Sequence, residues 1–107
     1  MKQLTETIRK ELVQRIVRNL LDIQILRLIQ SEPMWGYKII QRVEKDFGVK
    51  IRHGALYPLL NKMENEGFLA SHKESKGGRI RKTYEITEKG LELASIYDEV
   101  LTEQMQK

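Results

Sequence analysis

The chain has 107 residues, a formal net charge of +4 and no cysteine, which fits one small domain with a modest core and excludes disulfides and thiolate metal sites. Its apolar runs are too short to span a membrane, and Met1-Lys2-Gln3-Leu4-Thr5-Glu6 lacks the apolar region of a signal peptide, so a cytoplasmic protein is expected. Charge is uneven: residues 50–82 carry eight Lys/Arg against three Asp/Glu, and residues 83–107 carry two against six, which suggests one localised anion-binding surface.

Residues 4–30 are helical by period. Leu4, Ile8, Leu12, Ile16 and Leu20 repeat every four residues, with Val13 and Val17 widening the stripe. Asn19 is a candidate cap for a second helix that starts at Leu20 and is apolar nearly all round. Whether this stretch is one helix or two is left open. Pro33 ends it, because the residue before a proline is pushed out of the helical region. Trp35-Gly36-Tyr37 opens the next helix, which carries Ile39, Ile40, Val43 and Phe47 and stops at Gly48. Trp35 reads as a core residue. Val49-Lys50-Ile51-Arg52 is a short extended piece.

A third helix follows from Gly54 to Glu66. Leu56, Leu59, Leu60 and Met63 form its core stripe, while Ala55, Pro58, Asn61, Lys62 and Asn65 face outward. Pro58 is expected in the first turn, where a missing N–H costs nothing. An outer face that is small at its start and carries amides and a cation suits a major groove, since amides read base edges and lysine reaches guanine or phosphate.

From Phe68 the period changes to two, and Gly77-Gly78 supplies the positive φ angles of a tight hairpin. Its tip, Lys76-Gly77-Gly78-Arg79-Ile80-Arg81-Lys82, holds four cations in seven residues, a grip for phosphates or an Arg aimed into a minor groove. Thr87 caps a last helix whose stripe includes Leu91, Leu93, Ala94, Ile96, Tyr97, Val100, Leu101 and Met105. Gly90 weakens its first turn slightly.

The expected fold is mainly α with a β-hairpin wing: a winged helix-turn-helix. Residues 1–107 form a single domain, with 1–19 a helical extension, 20–86 the core and 87–107 a C-terminal dimerisation helix. Residues 4–20 and 91–105 carry more apolar surface than so small a domain easily buries alone. Leu4, Ile8, Leu12 and Ile16, with Leu93, Ile96, Tyr97, Val100 and Leu101, are therefore the candidate dimerisation residues. No phosphate loop, nucleophile elbow or paired acids appear, so no enzyme is expected, and neither histidine has carboxylates at ligand spacing, so no metal or cofactor is expected either.

Gly36-Tyr37, His53-Gly54-Ala55-Leu56-Tyr57-Pro58-Leu59-Leu60, Glu66-Gly67, Gly77-Gly78-Arg79-Ile80-Arg81-Lys82-Thr83-Tyr84 and Thr87-Glu88-Lys89-Gly90 resemble the PadR family of transcriptional regulators. The resemblance covers roughly residues 20–90 and implies a role for each matching position. Tyr37 and Tyr57 would offer hydroxyls to phosphates, and Gly54 and Ala55 would let the helix start approach DNA. Asn61 and Lys62 would lie towards the groove, and Arg79, Arg81 and Lys82 would form the wing contact. His53 would cap the reading helix or touch a phosphate. Asn65 and Lys76 complete the candidate DNA-binding set. The family commonly has Thr or Ser where Ala55 stands, Pro at Ile80 and Tyr at Thr83, which shifts the weight of specificity towards Asn61, Lys62, Asn65 and the wing. Family members dimerise through the first and last helices, and some bind flat hydrophobic effectors at the dimer centre. A small hydrophobic effector at the dimer interface is thus a candidate partner beside double-stranded DNA and a second copy of the chain. The reading is a homodimeric, sequence-specific DNA-binding regulator, a repressor on a palindromic operator. The alternative is a winged-helix protein-interaction module without DNA binding.

Overall fold

The computed structural model describes residues 2–107, which run in the order α1 (Lys2–Asn19), α2 (Leu21–Ser31), β1 (Met34–Trp35), α3 (Gly36–Phe47), α4 (His53–Asn65), β2 (Leu69–Lys76), β3 (Arg79–Ile86) and α5 (Glu88–Met105). The 4–30 stretch is two helices, broken at Leu20, whose φ of −115° and ψ of 39° leave the helical region. Leu20 rather than Asn19 takes the N-cap position, without a side-chain capping bond. Asp22 serves the first turn instead, its Oδ1 accepting the Ile23 N–H at 2.9 Å. The partial charge of a helix start favours an acid at this point.

The core is built around α2. Ile23, Ile25, Leu26, Leu28 and Ile29 are buried there, packed with Ile39 and Val43 of α3, Leu56, Leu60 and Met63 of α4, and Met34, Leu69 and Tyr84 of the strands. Each such side chain contributes about 1.5–3 kcal/mol by leaving water. Gly48 stops α3 at φ 69°, its N–H donating to the Glu44 carbonyl at 2.8 Å. The extended piece after it forms no strand, and buried Val49 and Ile51 anchor it instead.

Two expectations change. Pro58 is the sixth residue of α4 and so lies in its second turn, not its first. It has no N–H to give the Gly54 carbonyl four residues back, and Gly54 is exposed, so water can reach that end of the helix. Trp35 is not a core residue. It is half-buried, in the two-residue strand β1, which extends the hairpin to a three-stranded antiparallel sheet of order β1-β3-β2. Met34 pairs with Tyr84 and Trp35 with Thr83. So short a strand has no period to read, which is why the sequence did not announce it.

Thr87 caps α5 as expected, Oγ1 accepting the Gly90 N–H at 3.0 Å while donating to the Gly67 carbonyl at 2.7 Å. Gly90 does more than weaken that turn. A β-carbon there would stand 2.2 Å from the Phe68 carbonyl oxygen, so glycine lets α5 dock on the joint between α4 and β2. Further along α5 the Tyr97 hydroxyl donates to Asp22 Oδ2 at 2.7 Å. That bond and burial push the phenol up to about 12.

The Cα radius of gyration is 15.5 Å with extents of 52 × 30 × 22 Å, against about 13 Å for a compact chain of this length. The excess reflects α1, which leans on α2 and α3 only towards its C-terminal end. Leu4, Ile8, Leu12 and Ile16 are 43–58% exposed along it. On α5, Leu93 and Tyr97 pack against the protomer's own core and Leu101 is half-buried, whereas Leu91, Ile96, Val100 and Met105 face outward. The structure thus uses Leu93 and Tyr97 inside the protomer and leaves Ile96 and Val100 uncovered.

Candidate nucleic-acid interface

Successive residues of α4 turn by about 100°, and its three flanks do different things. Leu56, Leu60 and Met63 face the core, while Gly54, Pro58, Asn61 and Asn65 form the outermost stripe and are all exposed. Tyr57 and Glu64 turn towards the hairpin. Ala55 and Lys62 turn away from it. Ala55 borders a cleft with Arg18, Leu21, Ile51 and Arg52. Lys62 borders another with Asp22, Leu59, Glu66 and Tyr97. Asn61 therefore lines the groove beside the hairpin, and Lys62, also exposed, lies on the other side of the outermost stripe.

That groove, of about 720 Å³, lies between the start of α3, α4 and β3, and is lined by Trp35, Gly36, Tyr37, Tyr57, Asn61, Arg79, Ile80, Arg81, Lys82 and Tyr84. Six of the residues expected to meet DNA come together here. Tyr37 and Tyr57 are 53% and 37% exposed, so both phenols are open to a ligand. His53 is the first residue of α4, beyond the capping position held by Arg52, and its ring stacks on Tyr57 at 5.5 Å and 17°. Gly36 carries a requirement that the motif alone did not explain: a β-carbon there would lie 2.6 Å from the Tyr57 ring. Glycine at the start of α3 lets the two helices approach with that tyrosine between them.

The hairpin turns at Gly77 and Gly78, with φ of 58° and 77°, the pair of positive values a two-residue turn needs. Lys76 pairs with Arg79 across it. Strand alternation then separates the wing into two faces. Ile80, Lys82 and Tyr84 share one face with the core residues Met34 and Leu69. Arg79, Arg81 and Thr83 share the other with Lys76, Glu74, His72 and Trp35.

On the first face Lys82 Nζ lies 2.9 Å from Glu64 Oε1, and the Ser71 hydroxyl donates to the same carboxylate. Glu64 thereby ties α4 to both wing strands. The Ser71 hydroxyl, helped by Lys82, holds its carboxyl below the usual carboxylate range, and Glu64 in turn raises the Lys82 ammonium. On the second face the Arg81 guanidinium lies 4.2 Å from the Trp35 ring centroid and Lys76 Nζ 5.7 Å from it. The run of four wing cations is therefore not uniform. Lys82 has a carboxylate partner, Arg81 and Lys76 lie over an indole, and Arg79 is exposed beside the turn. Ile80, 75% exposed, sits between the two arginines. Sequence reasoning missed Trp35, Gly36 and Glu64, and only Gly36 belonged to a motif already singled out.

Among the described residues no helix is long and apolar enough to cross a membrane, and no group of three or more His, Asp or Glu could hold a metal ion. Helices α2, α3 and α4 around one core, followed by a hairpin that flanks the exposed helix α4, define a winged helix-turn-helix protein. The family model for PadR-like transcriptional regulators matches residues 25–95. The chain belongs to that family, whose members are transcription regulators rather than enzymes. It is 27% identical to a PadR-like transcription factor from Bacteroides fragilis, with a TM-score of 0.76 over 97% of this chain and 93% of that one. A PadR family regulator from Eggerthella lenta is 28% identical, with a TM-score of 0.75 over 97% of this chain and 94% of that one. Bacillus subtilis PadR, solved in complex with operator DNA, is 26% identical, with a TM-score of 0.68 over 73% of this chain and 45% of that one. No curated protein sequence matches significantly.

Proposed function

We propose that the chain is a sequence-specific DNA-binding repressor that acts as a homodimer. The observation that carries this reading is the groove in which an exposed amide, two open phenols and the wing arginines converge beside α4. Gly54, Pro58, Asn61 and Asn65 would lie in the major groove, with Asn61 and Asn65 as base readers. Tyr37, Tyr57 and His53 would contact the phosphates on the wing side, and Ala55 and Lys62 the backbone on the far side. Arg79, Arg81, Lys76 and Lys82 would follow the adjacent minor groove. The operator complex of the Bacillus subtilis relative supports the same direction of reading.

The uncovered rows on α1 and α5 support a homodimer, since Leu4, Ile8, Leu12, Ile16, Ile96 and Val100 are at least 43% exposed. Burying what remains of these half-exposed side chains would stabilise an assembly by about 1 kcal/mol each. Two-fold symmetry would then set the two reading helices about 34 Å apart on a palindromic operator. A groove of about 430 Å³, lined by Ile16 of α1, Leu28 and Arg27 of α2, Phe47 and Arg42 of α3 and Leu101 of α5, lies within one protomer. It is where a small hydrophobic effector would sit. The test is selection of bound duplexes from a random pool, followed by fluorescence anisotropy over a range of salt. An inverted repeat bound by a dimer, with affinity falling steeply as salt rises, is expected. Salt-insensitive or absent binding would instead favour a winged-helix module that binds protein.

A further inference from the structure

We infer that Trp35 is a positioning residue for the wing: its indole face holds the Arg81 guanidinium ready for a DNA phosphate. This rests on the reading that the groove beside α4 binds DNA. The argument starts from strand register. Trp35 pairs with Thr83, and Arg81 stands two residues along the same strand, so both side chains emerge on one face of the sheet. The partner directly opposite Arg81 on the other strand is Glu74, and an ion pair between them would be the ordinary outcome. It does not form. The Glu74 carboxylate lies instead 2.7 Å from His72 Nε2, while the Arg81 guanidinium lies 4.2 Å from the Trp35 centroid.

The chemistry of the two choices differs. A carboxylate would occupy the N–H fork of the arginine and cancel its charge. An aromatic face attracts the cation but takes none of its hydrogen-bond donors, so the edge of the guanidinium stays available for an anion. The stack also restricts a long side chain before DNA arrives, which lowers the ordering cost at binding. Trp35 itself is held by β1 directly ahead of Gly36 and Tyr37, so the same two-residue strand sets the wing arginine and the tyrosine of the groove. Lysine could not replace Arg81 here without losing the planar stack.

Trp35 is the only tryptophan, so the wild-type protein reports on its own stack. The probe is a fluorescein-labelled duplex that the protein itself selects from a random pool. Anisotropy measures affinity, and tryptophan emission is followed on the unlabelled duplex. Trp35→Leu and Arg81→Ala are each expected to weaken binding by about tenfold, and the double variant by little more than either alone, because the residues act as one unit. Trp35→Phe keeps a ring and should recover most of the affinity. Far-UV circular dichroism and the melting temperature establish whether each variant is folded. DNA should change the tryptophan emission of the wild type, and much less that of Arg81→Ala. If the wild type binds the duplex but its emission does not change, or the two single losses add in full, the inference is overturned. If Trp35→Leu does not fold, the emission change and the Arg81→Lys affinity decide the matter. If the wild type shows no salt-sensitive binding at all, it is the DNA-binding reading that fails.

Discussion

The reading helix and the wing reach the same groove by different routes. On α4 the outermost residues Gly54, Pro58, Asn61 and Asn65 are exposed, and their orientation follows from helical periodicity alone. On the wing, the cations are held in different ways: Glu64 offsets the charge of Lys82, whereas Arg81 and Lys76 lie over Trp35 with their charge uncancelled. A count of cations in the chain thus overstates the wing's free charge by Lys82, while a count of amides on the helix does not overstate its reading capacity. On the proposed DNA-binding reading, base reading would fall to α4 and graded phosphate contact to the wing.

The largest effect should come from breaking the joint between the two regions. Gly90→Ala forces a β-carbon against the Phe68 carbonyl and should cost about 3 kcal/mol of stability, seen as a lower melting temperature. An unchanged melt would mean that the α4–wing joint does not depend on close docking of α5. Next, Asn61→Ala should reduce discrimination between the selected duplex and single-base variants by about 1–3 kcal/mol, with random-duplex affinity nearly unchanged.

The wing should behave in the opposite way. Arg79→Ala should weaken binding to every duplex alike and lower the salt slope by about 1. Lys82→Ala should do less, because Glu64 already offsets its charge. Equal slopes for the two variants would show that the Glu64 pair opens when DNA binds.

The smallest effect concerns pH. Glu64 titrates below the usual carboxylate range in the folded protein, so its contribution is complete above that range. It is lost as pH falls through the lowered value, because the unfolded chain then binds the proton more readily. Acid melts of the wild type should therefore lose more stability in that window than melts of Glu64→Gln. The difference should be small, since a partly exposed pair is worth about 0–1 kcal/mol.

Much of the fold was legible in the chain because it rests on local patterns. The core stripe Leu56, Leu60 and Met63, the Gly48 stop, the Gly77-Gly78 turn and the Thr87 cap each need only a few neighbouring residues to be recognised. The place of the break at Leu20 was legible from Asn19 as a candidate cap, but with no proline or glycine to mark it the choice between one helix and two stayed open. The place of Pro58 within α4 was misread: even counted from Gly54 it is the fifth residue, beyond a first turn of about 3.6 residues. The site was only partly legible. Tyr37, Tyr57, Asn61 and the wing arginines do converge. Lys62 borders a different surface cleft, since one step along a helix turns a side chain by about 100°.

By itself, then, the sequence determined the order of the core helices and the hairpin, the buried face of α4 and the family, because periodicity, turn residues and motifs are properties of neighbours along the chain. Only the tertiary structure decided which cation meets which partner. The strand that brings Trp35 to Arg81 joins residues 46 positions apart in sequence, and Glu64 reaches Lys82 only because α4 and the wing pack on a common core. Such contacts depend on long-range register, and no local pattern encodes register between distant segments.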